Sequence, residues 1–326
     1  MADKNKSGDF YNRPEKLGAW AGLKQFIWNS DTSQFMGRTK DSWGKILFFY
    51  LIFYSVLALF FWVMWLFFAS TIVDGHPKYQ LKDSLIGDNP GLGFRPMPPS
   101  DSNVESTLIW YRKNNATSSK YWVSQIKDFL EDFVEDKSKK DKLNRVSCDI
   151  VGPRPVVDIC KVNLEKYGKC SYDPSTNKNP NFGFDEGKPC VFLKLNKIFN
   201  WIPEYYNNAS DLPENMPPQL KKHIIGQKKM KDVVWVSCEG ENPADKEHIR
   251  ELKYYTFDDN AQQGFNGFFY PFNTNQYNQP LVAVRFEDIT FGVLINVECK
   301  AWAKNIKHDR QERRGSVHFE LLIDEN

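Results

Sequence analysis

Between Lys45 and Asp74 lies a run of 28 residues, 46–73, without a single charge. It is crowded with Phe, Leu, Ile, Val and Trp. A bilayer core needs about 20 such residues, so the run is long enough to cross even when tilted. As a helix it would measure about 42 Å at about 1.5 Å per residue, so some of it should tilt or project beyond the lipid. A cleavable signal core is only about 7–15 residues long and stands close to the N-terminus. This run starts after 45 residues and is read as an uncleaved anchor. No second run approaches its length, so the chain is expected to cross once. The mean hydropathy of the whole chain, −0.55, reflects the polar remainder and hides the span.

Charge gives the direction. Residues 1–45 hold eight Lys or Arg against five Asp or Glu, whereas the 20 residues after the run hold only Lys78 and Lys82 as cations. The short basic tail is therefore expected in the cytoplasm. The six cysteines, Cys148, Cys160, Cys170, Cys190, Cys238 and Cys299, all follow the span. An even set confined to one side reads as disulfides in an oxidising compartment. A zinc site is the alternative, but no Cys-x-x-Cys occurs and no His stands at ligand spacing from a cysteine pair. Two glycosylation sequons, at Asn115 and Asn208, lie on the same side. A third, at Asn5, falls in the tail, out of reach of the glycosylation machinery. Together these features give a single-pass type II membrane protein. The expected layout is a cytoplasmic tail 1–45, a transmembrane helix 46–73, a Pro/Gly-rich stalk 74–105 and a disulfide-stapled extracellular β-sandwich 106–326.

The net charge of the chain is +2, and that of residues 74–326 is −1, from 35 basic and 36 acidic residues. A near balance excludes a strongly basic nucleic-acid binder. Within 118–138, Trp122, Ile126, Phe129, Leu130, Phe133 and Val134 recur at steps of three and four, which predicts one amphipathic helix with Ser124 as a candidate cap. Later segments are short, β-branched and aromatic. They begin at Val191, Val233, Leu281, Gly292 and Ser316, with turn-rich loops and no helices expected between them. That pattern predicts a β-sandwich. Cys238 and Cys299 each fall in a predicted strand, and a bridge between them could join two sheets, as in immunoglobulin-like domains. Six cysteines leave the pairing open, with sequential pairing (148–160, 170–190, 238–299) the simplest because each bridge closes a local loop.

Enzyme signatures are missing. There is no Gly-x-Ser-x-Gly, no His-Glu-x-x-His, no Walker A sequence and no Asp-x-Asp. The five histidines are scattered and read as surface or structural residues. Gly91-Leu-Gly93 has no strand-to-helix setting and reads as part of the stalk. Asp258-Asp259 reads as a solvated turn. No cofactor and no metal site are expected.

Several segments resemble one family, the β subunits of the P-type Na,K- and H,K-ATPases. Ahead of the span stands Phe35-Met-Gly-Arg-Thr-Lys-Asp-Ser-Trp-Gly-Lys-Ile46, followed by Phe49-Tyr-Leu-Ile-Phe-Tyr54. Beyond it come Gly187-Lys-Pro-Cys-Val-Phe-Leu-Lys-Leu-Asn196, Val236-Ser-Cys-Glu-Gly-Glu-Asn-Pro-Ala-Asp245 and Tyr277-Asn-Gln-Pro-Leu-Val-Ala-Val-Arg-Phe286. Their shared order, with the cysteines between them, is more specific than any one alone. The family's Tyr-Tyr-Pro-Tyr-Tyr stands here as Phe269-Tyr-Pro-Phe-Asn273, without three of its hydroxyls.

The resemblance implies an immunoglobulin-like ectodomain, sequential disulfides and a non-catalytic role at the plasma membrane. It implies a multi-span catalytic α chain as partner, whose folding, delivery and K+ affinity the β chain supports. A small single-span regulatory subunit is a further partner of this kind of assembly. The few sequons favour the Na,K type over the H,K type. Tyr50 and Tyr54, one turn apart with Ser55 and Ala58 nearby, are the candidate helix face toward α, since association in lipid rests on close packing and hydrogen bonds. Phe269, Tyr270, Pro271 and Phe272 are the candidate contact with α's extracellular loops. Two other classes fit parts of the sequence. One is an independent adhesion glycoprotein on a sandwich fold. The other is a C-type lectin, against which stands the absence of Trp-Asn-Asp and Glu-Pro-Asn.

Overall fold

The computed structural model describes residues 18–30, 32–72, 76–99, 106–134, 145–146, 159–160, 162–173, 180–227, 232–257, 263–273, 279–312 and 314–325. The chain separates into two compact units, Met1–Val73 and Asp74–Asn326.

The first unit begins with helix α1 (Ala19–Ile27) and a two-stranded hairpin, β1 (Trp28–Asn29) and β2 (Gln34–Phe35). Helix α2 (Lys40–Ser70) follows and is long and apolar enough to cross a membrane, with none of its side chains buried. It fits a single-pass membrane protein. The helix starts six residues before the uncharged run, because Lys40, Asp41 and Lys45 can be helical in water while only the run suits lipid. Asp41 in the first turn complements the positive end of the helix dipole. At the other end the hydroxyls of Ser70 and Thr71 donate to the carbonyls of Phe67 and Phe68 at 2.8 and 2.7 Å. These hydroxyls add donors to carbonyls in the last turn, where the helix runs out of amides; the Phe68 carbonyl also accepts the Thr71 amide at 3.0 Å.

The second unit is mostly β. In chain order it contains β3 (Leu92–Arg95), β4 (Leu108–Arg112), α3 (Ala116–Val134), β5 (Arg145–Val146), β6 (Ile159–Cys160), β7 (Cys190–Leu195), α4 (Pro218–Gly226) and β8 (Val233–Gly240). Then come α5 (Pro243–His248), β9 (Ile249–Tyr255), β10 (Gly264–Asn266), β11 (Leu281–Ile289), β12 (Ile295–Trp302) and β13 (Ser316–Asp324). One sheet has the order β10-β8-β12-β13-β4 and the other β3-β7-β11-β9. Within these two sheets every pair is antiparallel except β13 with β4.

Alternation along the strands makes a sandwich of these sheets. Val297, Cys299, Phe319 and Leu321 of the first sheet share one core with Phe94, Leu193, Val282, Val284 and Phe286 of the second. Phe319 packs its ring against Phe94 and Phe286, at centroid distances of 5.0 and 6.2 Å. Between the layers the Cys238 amide donates to the Tyr254 hydroxyl at 2.8 Å. Burial pushes that phenol's pKa up to about 12.

Helix α3 packs beside β3 and β4, the strands that end the two sheets on one side. Trp122, Ile126 and Leu130 bury in the core, and the Trp122 indole donates to the Trp110 carbonyl at 2.9 Å. A second cluster forms on the outer face of the five-stranded sheet, where Leu220 and Ile224 of α4 cover Trp235 and Trp302.

Four expectations change. Cys238 and Cys299 are bridged, but they face one another on neighbouring strands of the same sheet, with Cα atoms 4.0 Å apart, so the bridge joins no two sheets. The segment 74–105 is not all stalk. Leu92 and Phe94 alternate inward as β3, a signal too short to stand out among the surrounding glycines and prolines. Helices α4 and α5 do intervene between strands; each opens at a proline and is too short for a periodic signal. Ser124 is inside α3, its hydroxyl donating to the Tyr121 carbonyl, and the cap is Asn115.

Candidate partner-contact sites

Tyr50 and Tyr54 lie on one face of α2, as a four-residue step on a helix requires. Their rings stack with centroids 5.8 Å apart. Phe49 and Phe53 form a parallel stack beside them, at 6.1 Å. Both tyrosines are exposed in this chain. Stacked rings on two exposed tyrosines suit a helix–helix contact in lipid, where packing and hydrogen bonding replace apolar burial.

The second site is built by a tight turn. The Asn266 side chain accepts the Phe268 amide at 3.0 Å and starts the 3-10 turn Gly267–Phe269. Gly267 is needed there, because a Cβ atom would meet the Tyr205 ring carbon at 2.8 Å and the Asp232 carbonyl at 2.7 Å. The turn points Phe269 into the core against Phe257, and leaves Tyr270, Pro271 and Phe272 half-buried. Of the four expected contact residues, Phe269 therefore supports the patch from beneath. The other three reach the surface.

A distant segment completes the patch. The Asn200 amide donates to the Phe272 carbonyl at 2.7 Å, and Phe199 forms a bridge with Phe272. Rings meet edge to face in the pairs Phe199–Phe272 (6.0 Å) and Trp201–Tyr270 (5.5 Å). The Lys197 ammonium sits 5.0 Å from the centre of the Phe272 ring. Burial lowers the Lys197 pKa, and burial with the neighbouring cations Arg95 and Lys197 lowers that of Lys194. The result is an aromatic surface edged by cations. No motif search of the sequence singled out Phe199, Trp201 or Lys197; the only signal is the aromatic spacing in Phe199-Asn-Trp201.

Asn115 and Asn208 are both exposed. Asn115 also caps α3, its side-chain oxygen accepting the amides of Thr117 and Ser118 at 3.0 and 3.2 Å. Its side-chain nitrogen is not used by that cap. Cys170 is bridged to Cys190, tying the segment over the four-stranded sheet to the start of β7. The side chain of Cys160, like Cys148, falls outside what is described.

A family profile described as the sodium/potassium ATPase beta chain matches residues 13–319. The chain belongs to this family. It is 46% identical over 322 residues to "Sodium/potassium-transporting ATPase subunit beta-2" of Drosophila melanogaster, covering 97% of this chain and 96% of that one. It is 39% identical over 327 residues to "Sodium/potassium-transporting ATPase subunit beta-1" of the same organism, covering 98% of each. The human "Sodium/potassium-transporting ATPase subunit beta-2" is 30% identical over 319 residues, covering 92% of this chain and 93% of that one. The matches run through the span and both sheets, so the Tyr50/Tyr54 face and the aromatic patch lie within this beta chain's family region.

Proposed function

We propose that this beta chain is the non-catalytic subunit of a Na+/K+-transporting P-type ATPase. It assembles with the catalytic α chain, supports its folding and delivery to the plasma membrane, and modulates its K+ affinity. The observation that carries this reading is likeness along nearly the whole chain to relatives named as beta subunits of the sodium/potassium pump. The reading includes a type II orientation with the tail in the cytoplasm, supported by the charge difference across α2. It also includes glycans at Asn115 and Asn208, a Cys148–Cys160 bridge and an immunoglobulin-like class for the sandwich. The Tyr50/Tyr54 face packs against an α helix in the bilayer. Tyr270, Pro271 and Phe272, braced by Phe269, meet α on the extracellular side. A small single-span regulatory subunit completes the assembly in this reading.

The test is surface delivery in cells lacking endogenous pump, with and without a co-expressed Na,K-type α chain. Surface biotinylation and co-immunoprecipitation are read together. The expected result is joint arrival at the surface with ATP-driven cation transport. Equal surface arrival alone, with no α recovered, would replace the pump subunit with an independent adhesion glycoprotein.

A further inference from the structure

The segment ahead of α2 carries an apolar surface that the pump reading leaves without a role. Along α1, Trp20, Leu23, Phe26 and Ile27 share one arc, with Lys24 at its edge beside Trp20 and Gln25 on the opposite side. None of its side chains is buried, and Trp20 is 86% exposed. Trp28 and Phe35 continue the exposed apolar surface onto the hairpin.

This surface is fastened to the head of α2. The hairpin pairs Trp28 with Phe35, and the Met36 amide donates to the Ile27 carbonyl at 3.1 Å. The Trp43 indole, in the first turn of α2, donates to the Phe35 carbonyl at 2.8 Å, and the two rings lie 6.0 Å apart. With α2 in the bilayer, α1 is thus held at the level where the span leaves the lipid. Lys24, Arg38, Lys40 and Lys45 surround it in sequence, against Asp31 and Asp41. Tryptophans at the boundary and an excess of cations match an anionic headgroup layer. A groove on another protein would need the apolar arc but not the cations.

We propose that α1 and the hairpin lie in the headgroup layer of an anionic leaflet, with Trp20, Leu23, Phe26 and Ile27 directed toward the acyl chains. This goes beyond subunit assembly and rests on α2 spanning the bilayer. The test uses the full chain co-expressed with α in membranes containing phosphatidylserine. p-Benzoylphenylalanine replaces Leu23 in one preparation and Gln25 in another, and adducts are identified by mass spectrometry after illumination. Phospholipid adducts several-fold more abundant at position 23 than at position 25 are expected. An adduct to the α chain at position 23 would overturn the proposal in favour of a protein groove. Equally low yields at both positions would overturn it in favour of a solvated helix. Alkaline extraction of the same membranes reads the span separately, since release of the chain would remove the premise rather than the docking alone.

Discussion

Glu287 is a buried charged residue of the sandwich. It stands two residues after Arg285 on β11, both side chains nearly out of water, with charged atoms 3.4 Å apart. Lys169, Lys188 and Lys253 approach the same carboxylate within 4.0 Å. Burial opposes its charge, but Arg285, Lys169 and Lys253 outweigh burial and hold its pKa below the ordinary value. Removing one member of a buried pair costs about 3 kcal/mol, so Glu287→Gln should lower the urea midpoint of the full chain by that equivalent. Because the folded-state pKa is depressed, this contribution is complete above about pH 4.3 and is lost as pH falls through the lower folded value. The difference between the parent chain and Glu287→Gln should therefore shrink in acid. A gap unchanged at low pH would show that the carboxylate's charge is not the cause. Gly267→Ala acts at the same scale: its Cβ must displace Tyr205, which should misplace Tyr270 and Phe272 and reduce recovery of α by co-immunoprecipitation.

At the scale of elements, α3 joins stability to modification. Asn115→Ala removes its cap and should cost about 1 kcal/mol, as well as abolishing the sequon. Thr117→Ala abolishes the sequon alone, because the Thr117 contribution to the cap is its backbone amide. Loss of a glycan-dependent gel shift with unchanged urea midpoint is expected for Thr117→Ala, and loss of the shift with a lowered midpoint for Asn115→Ala. On α2, Tyr50→Leu with Tyr54→Leu should reduce co-purification of α without releasing the chain from the membrane; unchanged co-purification would sink the face as a contact. These elements were unequally legible in the sequence. Helix α2 announces itself by 28 uncharged residues, and α3 by apolar steps of three and four. The long strands β7, β8, β11, β12 and β13 show as β-branched runs. Strands β3 and β10 are too short, and α1, α4 and α5 too brief, for a period to rise above their neighbours. The aromatic patch was half legible. Tyr270-Pro-Phe272 is a recognisable run, whereas Phe199, Trp201 and Lys197 join it only through the fold.

At the scale of the whole unit, the Cys238–Cys299 bridge encloses β9, β10 and β11, a separation of 61 residues. Closing a loop of that size stabilises by about 4 kcal/mol in the chain-entropy account, whose mechanism is disputed. The paired change of Cys238 and Cys299 to Ala should lower the unfolding midpoint by that equivalent in non-reducing conditions. It should also abolish the midpoint's sensitivity to reductant at this bridge. The sequence left the pairing open, with this bridge in the simplest set; placement within one sheet was not readable, since nothing local tells which strands become neighbours.

The order β10-β8-β12-β13-β4 seats the last strand of the chain between β12 and one of the first. Leu108 of β4 aligns with Glu320 of β13. A growing chain therefore exposes β4 without its strand partner until Ser316–Asp324 has emerged. The five-stranded sheet cannot close before β13 is available, and a chain lacking Ser316–Asp324 would have an open edge at β12 and an unanchored β4. Such a product presents unpaired backbone and bare aromatic core. Both neighbours of β13, one before it in the chain by more than 200 residues, thus wait on the same nine-residue strand.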